Sequence, residues 1–134
     1  MKILLICSKV FYNKIPNIKI ELEKNGHEIY LPNCYDAPET ENKYRGTAEH
    51  SEWKAKMMRH SEEVIQEMDA VLVLNYDKNG QKNYIGGATF LEIYAAFRFN
   101  KKIFFINDIP EGILKDELIG FNPIVINENL NLVK

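Results

Sequence analysis

Glu92 is the one charged residue between Ile85 and Phe97, and it follows a Gly86-Gly87-Ala88-Thr89 turn that opens a helix. The turn comes after an apolar run, Ala70-Val71-Leu72-Val73-Leu74, and a polar loop that begins at Asn75. This order sets the helix N-terminus beside the carboxyl end of the strand, where open α/β sheets bind ligands. Glu92 then falls in the first or second helical turn, and the helix N-terminus is expected to keep its carboxylate ionised. An ionised carboxylate in a cleft can attack an anomeric carbon, as retaining glycosidases do. A solvated helix glutamate is the plain alternative. Against it, Phe90, Leu91, Ile93, Ala95, Ala96 and Phe97 describe a helix buried nearly all round.

Around Glu92, the Gly86, Gly87 and Thr89 positions offer backbone N–H groups at a helix start, able to hold a phosphate, a hydroxyl or a carboxylate. No Gly-Lys-Ser/Thr follows, so this is not a P-loop, and the GxGxxG spacing of dinucleotide sites is absent. A tight strand-to-helix connection with no ligand is the competing reading. Asn75, at the carboxyl end of its strand, is placed to touch a ligand. Asp69 stands at the start of the same strand, the opposite end from the ligand edge.

The elements that must position these residues alternate along the chain. Lys2 to Cys7 is an apolar run suited to a strand buried on both faces. A polar and aromatic loop, Ser8 to Lys14, leads to a helix with Pro16 in its first turn, Ile18 and Leu22 facing inward, and Asn25-Gly26 as its stop. His27 to Leu31 reads as a second strand. The stretch from Pro32 to about Ala48 has no period; it is expected to be a mobile surface loop, with Tyr44 and Arg45 available to form a lid. A long helix from about Glu49 to Met68 carries Trp53, Met57, Val64, Ile65 and Met68 on one stripe, read as core or dimer contact. The third strand is Ala70 to Leu74. A helix from near Ala88 to Phe99 follows, then a strand at Ile103 to Ile106, a short helix near Leu114 to Ile119 and a weak strand at Pro123 to Ile126.

This alternation predicts one α/β domain spanning residues 1–134: a flavodoxin-like three-layer sandwich whose five-stranded parallel sheet has the order 2-1-3-4-5. The switch point of that order lies between the first and third strands. The loop after Cys7 would therefore face the turn before Glu92.

Composition narrows the partners. Lys and Arg number 17 against 19 Asp and Glu, a formal charge of −2, so no basic footprint for nucleic acid is present. The two cysteines, Cys7 and Cys34, form no metal spacing and read as free thiols in a reducing compartment. His27, His50 and His60 form no metal or triad spacing either. No apolar run nears the roughly 20 residues of a membrane span, and the N-terminus lacks signal-peptide features. The expectation is a cytoplasmic protein with no membrane partner, no metal and no cofactor.

The segment from Asp69 to Ile103 resembles the nucleoside 2-deoxyribosyltransferase-like family, which includes the 2'-deoxynucleoside 5'-phosphate N-hydrolases. The family's pattern is an Asp opening an apolar strand, a polar loop, then Gly-Thr-x-x-Glu-x-Gly-x-Ala. Here the matching residues are Asp69 and Ala88-Thr89-Phe90-Leu91-Glu92-Ile93-Tyr94-Ala95-Ala96, with Asn100-Lys101-Lys102-Ile103 leading into the next strand. The resemblance implies cleavage or transfer of the bond between a nucleobase and a (deoxy)ribose. It makes Glu92 the nucleophile and gives Asp69 the task of positioning or protonating the base. It places Ser8, Lys9 and Tyr12 of the first loop along the pocket. It also implies a small-molecule nucleoside or nucleotide as partner, and a homodimer or higher homo-oligomer.

Three positions depart from the pattern: Gly86 stands where an aspartate is usual, Tyr94 replaces the glycine after the nucleophile, and Cys7 to Phe11 is not a glycine-rich phosphate loop. They motivate the alternative expectation of a non-catalytic nucleotide-binding sensor or partner module of the same fold. The same first loop lacks the phosphate cradle of an FMN-binding flavodoxin.

Overall fold

The computed structural model describes residues 1–134. Its centre is an all-parallel sheet of β1 (Lys2–Ile6), β2 (Glu28–Tyr30), β3 (Ala70–Val73), β4 (Lys102–Phe105) and β5 (Ile124–Val125), in the order β2-β1-β3-β4-β5. This is the expected flavodoxin-like order. Four helices connect the strands: α1 (Ile15–Lys24), α2 (His50–Gln66), α3 (Gly87–Arg98) and α4 (Lys115–Gly120).

Strand alternation divides the core into two layers. Ile3 and Leu5 of β1, Ala70 and Leu72 of β3, and Phe104 of β4 point to one face, where Ile15, Ile18 and Leu22 of α1 cover them. Leu4 and Ile6, Val71 and Val73, and Ile103 and Phe105 point to the other face. There they meet Ile65 of α2, Ile93 and Ala96 of α3, and Leu118 of α4. The central strands are buried on both sides, which is why they read as continuous apolar runs rather than as alternation. The C-terminal 3-10 turn, Leu130–Leu132, packs beside α1 with Val133 buried, an element the sequence did not suggest.

Boundaries differ in small ways. The edge strands β2 and β5 are shorter than their apolar stretches, because each pairs on one side only. Lys9 to Lys14 is a 3-10 helix running straight into α1, not an open loop. The segment between β2 and α2 contains a further short 3-10 helix, Thr40–Lys43. No helix is long and apolar enough to cross a membrane.

Candidate functional site

β1 and β3 are neighbours whose outgoing connections lead to opposite faces of the sheet: β1 to α1 and β3 to α3. A cleft of about 560 Å³ opens at their carboxyl ends, within the size range of small-molecule sites. Cys7, Ser8, Lys9 and Tyr12 line it from the turn after β1, and Gly86, Gly87, Thr89 and Glu92 from the start of α3. Asn33 and Glu41 come from the segment after β2, and Trp53, Lys54, Met57 and Ser61 from α2. Most of the expected site residues therefore share one cavity.

Two do not. Asp69 is exposed at the amino end of β3, and its Oδ2 accepts a hydrogen bond from the backbone N–H of Lys2 at 2.8 Å. It ties β1 to β3 at the sheet edge away from the cleft, so its part in base chemistry is corrected to a structural one. Asn75 lies at the carboxyl edge but faces inward and is completely buried. Its Nδ2 donates to the carbonyls of Asn107 (3.1 Å) and Asp108 (2.9 Å), and its Oδ1 accepts from Asn107 N–H (3.0 Å). With both amide hydrogens spent and the side chain fully buried, it clasps the turn after β4 and does not line the cleft.

Gly86 is the cap residue of α3, with no side chain to satisfy the first amides. A Cβ there would meet the Tyr84 hydroxyl at 3.2 Å, so glycine lets the Tyr84 ring lie against the turn. Lys78 Nζ sits 4.5 Å from the centre of that ring. Glu92 is in the second turn, half-buried between α3 and α2. Burial pushes its carboxyl up from about 4.5 to about 7, while Ser61, on the same cleft wall, and the Lys54 charge pull the other way. Burial thus works against the helix N-terminus that was expected to keep this carboxylate ionised. The helix field fades within the first turn, and loss of water outweighs it.

The surrounding acids and thiols are quieter. Burial, then the nearby Glu92 charge, push the Cys7 thiol up to about 12, so it stays protonated and is a poor nucleophile. Burial first, and then Cys7, Glu92 and Cys34, push the Tyr12 phenol well above its usual range. It remains a donor, and its hydroxyl bonds the Asn33 carbonyl at 3.2 Å. Burial would raise Glu41, but hydrogen bonds from His50 and Lys54 and the charges of Lys54 and Arg45 bring it below the usual carboxylate range. Glu62 pairs with Arg98 at 3.2 Å.

The segment from Pro32 to Ala48, expected to be a mobile loop, is bound down over the cleft. Glu41 reaches His50 (2.9 Å) and Lys54 (3.1 Å) on α2, Glu39 reaches Lys9 (3.3 Å), and Tyr44 stacks on Trp53 with ring centres 5.4 Å apart. Trp53 and Met57 line the cleft beside this segment, while Ile65 and Met68 of the same stripe are core. Asn33, Ser61, Glu41 and Lys54 carry no sequence motif that marks them as site residues. Their only signal was their place on a helix and a long loop that must pass the switch point. Compared with models of known protein families and with curated protein sequences, the chain matches none.

Proposed function

We propose that this protein is an N-glycoside hydrolase or transferase acting on (deoxy)nucleosides or (deoxy)nucleotides through a covalent glycosyl-enzyme on Glu92. One observation carries the reading: at the switch point, the one cleft carboxyl not committed to an ion pair is Glu92, held near neutrality by burial. A carboxyl raised to about 7 by burial is partly ionised near neutral pH and loses little hydration on attack.

In this mechanism a Glu92 oxygen attacks the anomeric carbon as the carbon–nitrogen bond to the base breaks. The bonding pair leaves with the base, which takes up a proton. Asp69 is too far round the sheet to give it, and the Tyr12 proton is held on the Asn33 carbonyl, so solvent in the open cleft supplies it. Water, or a second base, then attacks the glycosyl ester and frees Glu92. Backbone amides of Gly87 and Ala88 are free to hold sugar hydroxyls. The apolar strip of Leu91, Tyr94 and Phe97 on α3, each about half exposed, continues onto Phe121, whose ring centre is 5.2 Å from that of Phe97. This strip is the proposed homodimer contact.

A second reading, a nucleotide-binding module without turnover, is favoured by the commitment of Glu41 and Glu62 to cations, which leaves no second carboxylate for acid catalysis. Base release by chromatography, from a panel of nucleosides and monophosphates with Glu92→Ala alongside, separates the two. Release that disappears in the variant supports the glycosidase. Thermal stabilisation by a nucleotide without release supports the binding module.

A further inference from the structure

We infer that Asn33 and Ser61 form a hydrogen-bond relay that aims a hydroxyl proton at the Glu92 carboxylate, making both positioning residues for the nucleophile. The inference rests on the proposed role of Glu92 but concerns groups that role did not include.

The direction of the relay follows from donor and acceptor counting. Asn33 Nδ2 lies 3.1 Å from the Met57 carbonyl and 2.6 Å from Ser61 Oγ. A carbonyl only accepts, so the amide must turn its NH₂ toward Met57, and its second hydrogen points to Ser61. Ser61 Oγ is therefore an acceptor from Asn33, and its own proton must go elsewhere. A helix serine ordinarily returns that proton to the carbonyl four residues back, which here is Met57. That carbonyl already takes the helical N–H of Ser61 and the Asn33 amide, so both lone pairs are occupied. The hydroxyl is left to face the cleft, where α2 packs on α3 and Glu92 lines the same wall. Asn33 is itself held by the Tyr12 hydroxyl on its carbonyl, at 3.2 Å. Cys34 Sγ lies 3.9 Å from Met57 Sδ. The relay thus links the turn after β1, the segment over the cleft and α2 to one carboxyl on α3.

Other titratable and charged groups line the same cleft. From α2 these are Lys54 and Glu62; from α3, Tyr94 and Arg98; from the turn after β1, Cys7, Lys9 and Tyr12. From the overlying segment they are Cys34, Glu41 and Arg45, and from the loop before α3, Lys78 and Tyr84. Substitutions at Asn33 and Ser61 remove none of these charged side chains, so a moved midpoint reads the relay and not a lost charge.

The test reads Glu92 directly. Protein labelled with ¹³C at glutamate carboxyls is titrated by NMR, the Glu92 resonance being the one absent from Glu92→Gln. Ser61→Ala should raise its midpoint by about one pH unit or more, as expected for loss of one hydrogen bond to a charged group. Ser61→Thr should restore it. Asn33→Ala, which keeps the hydroxyl but frees Met57 to receive it, should raise the midpoint in the same direction. The double variant Asn33→Ala/Ser61→Ala should shift no further than Ser61→Ala alone. A midpoint unmoved in Ser61→Ala, or unmoved in Asn33→Ala, overturns the relay. Should either single variant fail to fold, the other decides. A moved midpoint in a protein that releases no base keeps the relay and rejects the glycosidase; release lost in Glu92→Gln with an unmoved midpoint does the reverse.

Discussion

Replacing Glu92 by Gln should stabilise the protein in alkaline solution and do little in acid. An unfolded glutamate ionises near 4.5, whereas the folded one ionises at about 7 because of burial, opposed by Ser61 and Lys54. Below the lower value both states hold the proton and no penalty exists. Between the two, the folded state keeps a proton that the unfolded state has lost, so rising pH favours unfolding. Above about 7 both are ionised and the full cost applies. At about 1.4 kcal/mol per pH unit the cost reaches about 3 kcal/mol; partial contact with solvent brings the working figure to about 2–3 kcal/mol. Glutamine keeps the shape and cannot ionise. Urea unfolding of both proteins at acid and alkaline pH measures the gap. It should widen in favour of Glu92→Gln between pH 5 and 8 by about that amount. A gap that does not change with pH would refute the burial argument.

Asn75→Ala should cost about 2–4 kcal/mol in unfolding free energy, since three hydrogen bonds to the turn after β4 are lost from a fully buried position. The same denaturation measurement checks it, and ligand affinity should not respond specifically. Asp69→Asn should leave the rate of base release unchanged, because its carboxylate bonds Lys2 on the far edge of the sheet; a large loss of rate would restore Asp69 to the chemistry. Phe97→Asp should reduce the mass measured by light scattering from dimer to monomer, by placing a charge in the apolar strip with Tyr94 and Phe121.

The sheet order was legible because β1, β3 and β4 are short apolar runs separated by helical patterns too long for hairpins. Such spacing demands parallel crossovers. The cleft followed from the order alone, and Ser8, Tyr12, Gly86 and Glu92 with it. Other residues were hidden for physical reasons. Ser61 sits among Arg59, His60, Glu62 and Glu63, so it reads as a surface position, yet it is buried where α2 packs on α3. Asn33 and Glu41 lie in an aperiodic stretch whose course is set by side-chain bonds to α2, not by backbone pattern. Asn75 was placed at the correct edge, but which way an amide turns there depends on the β4 turn, distant in sequence. Helix position is written in the sequence and burial is not, so the helix field at Glu92 is legible there and its loss of water is not.

The most direct test of the account is covalent trapping. A nucleoside whose 2-deoxy sugar carries a 2-fluoro substituent slows breakdown of a glycosyl ester, so intact-mass analysis after mixing should show the protein plus one fluorinated sugar. Peptide mapping should place that sugar on Glu92, and Glu92→Gln should gain nothing. An adduct on another residue, or base release with no adduct in the wild type or with Glu92 absent, would contradict the assignment of Glu92 as nucleophile.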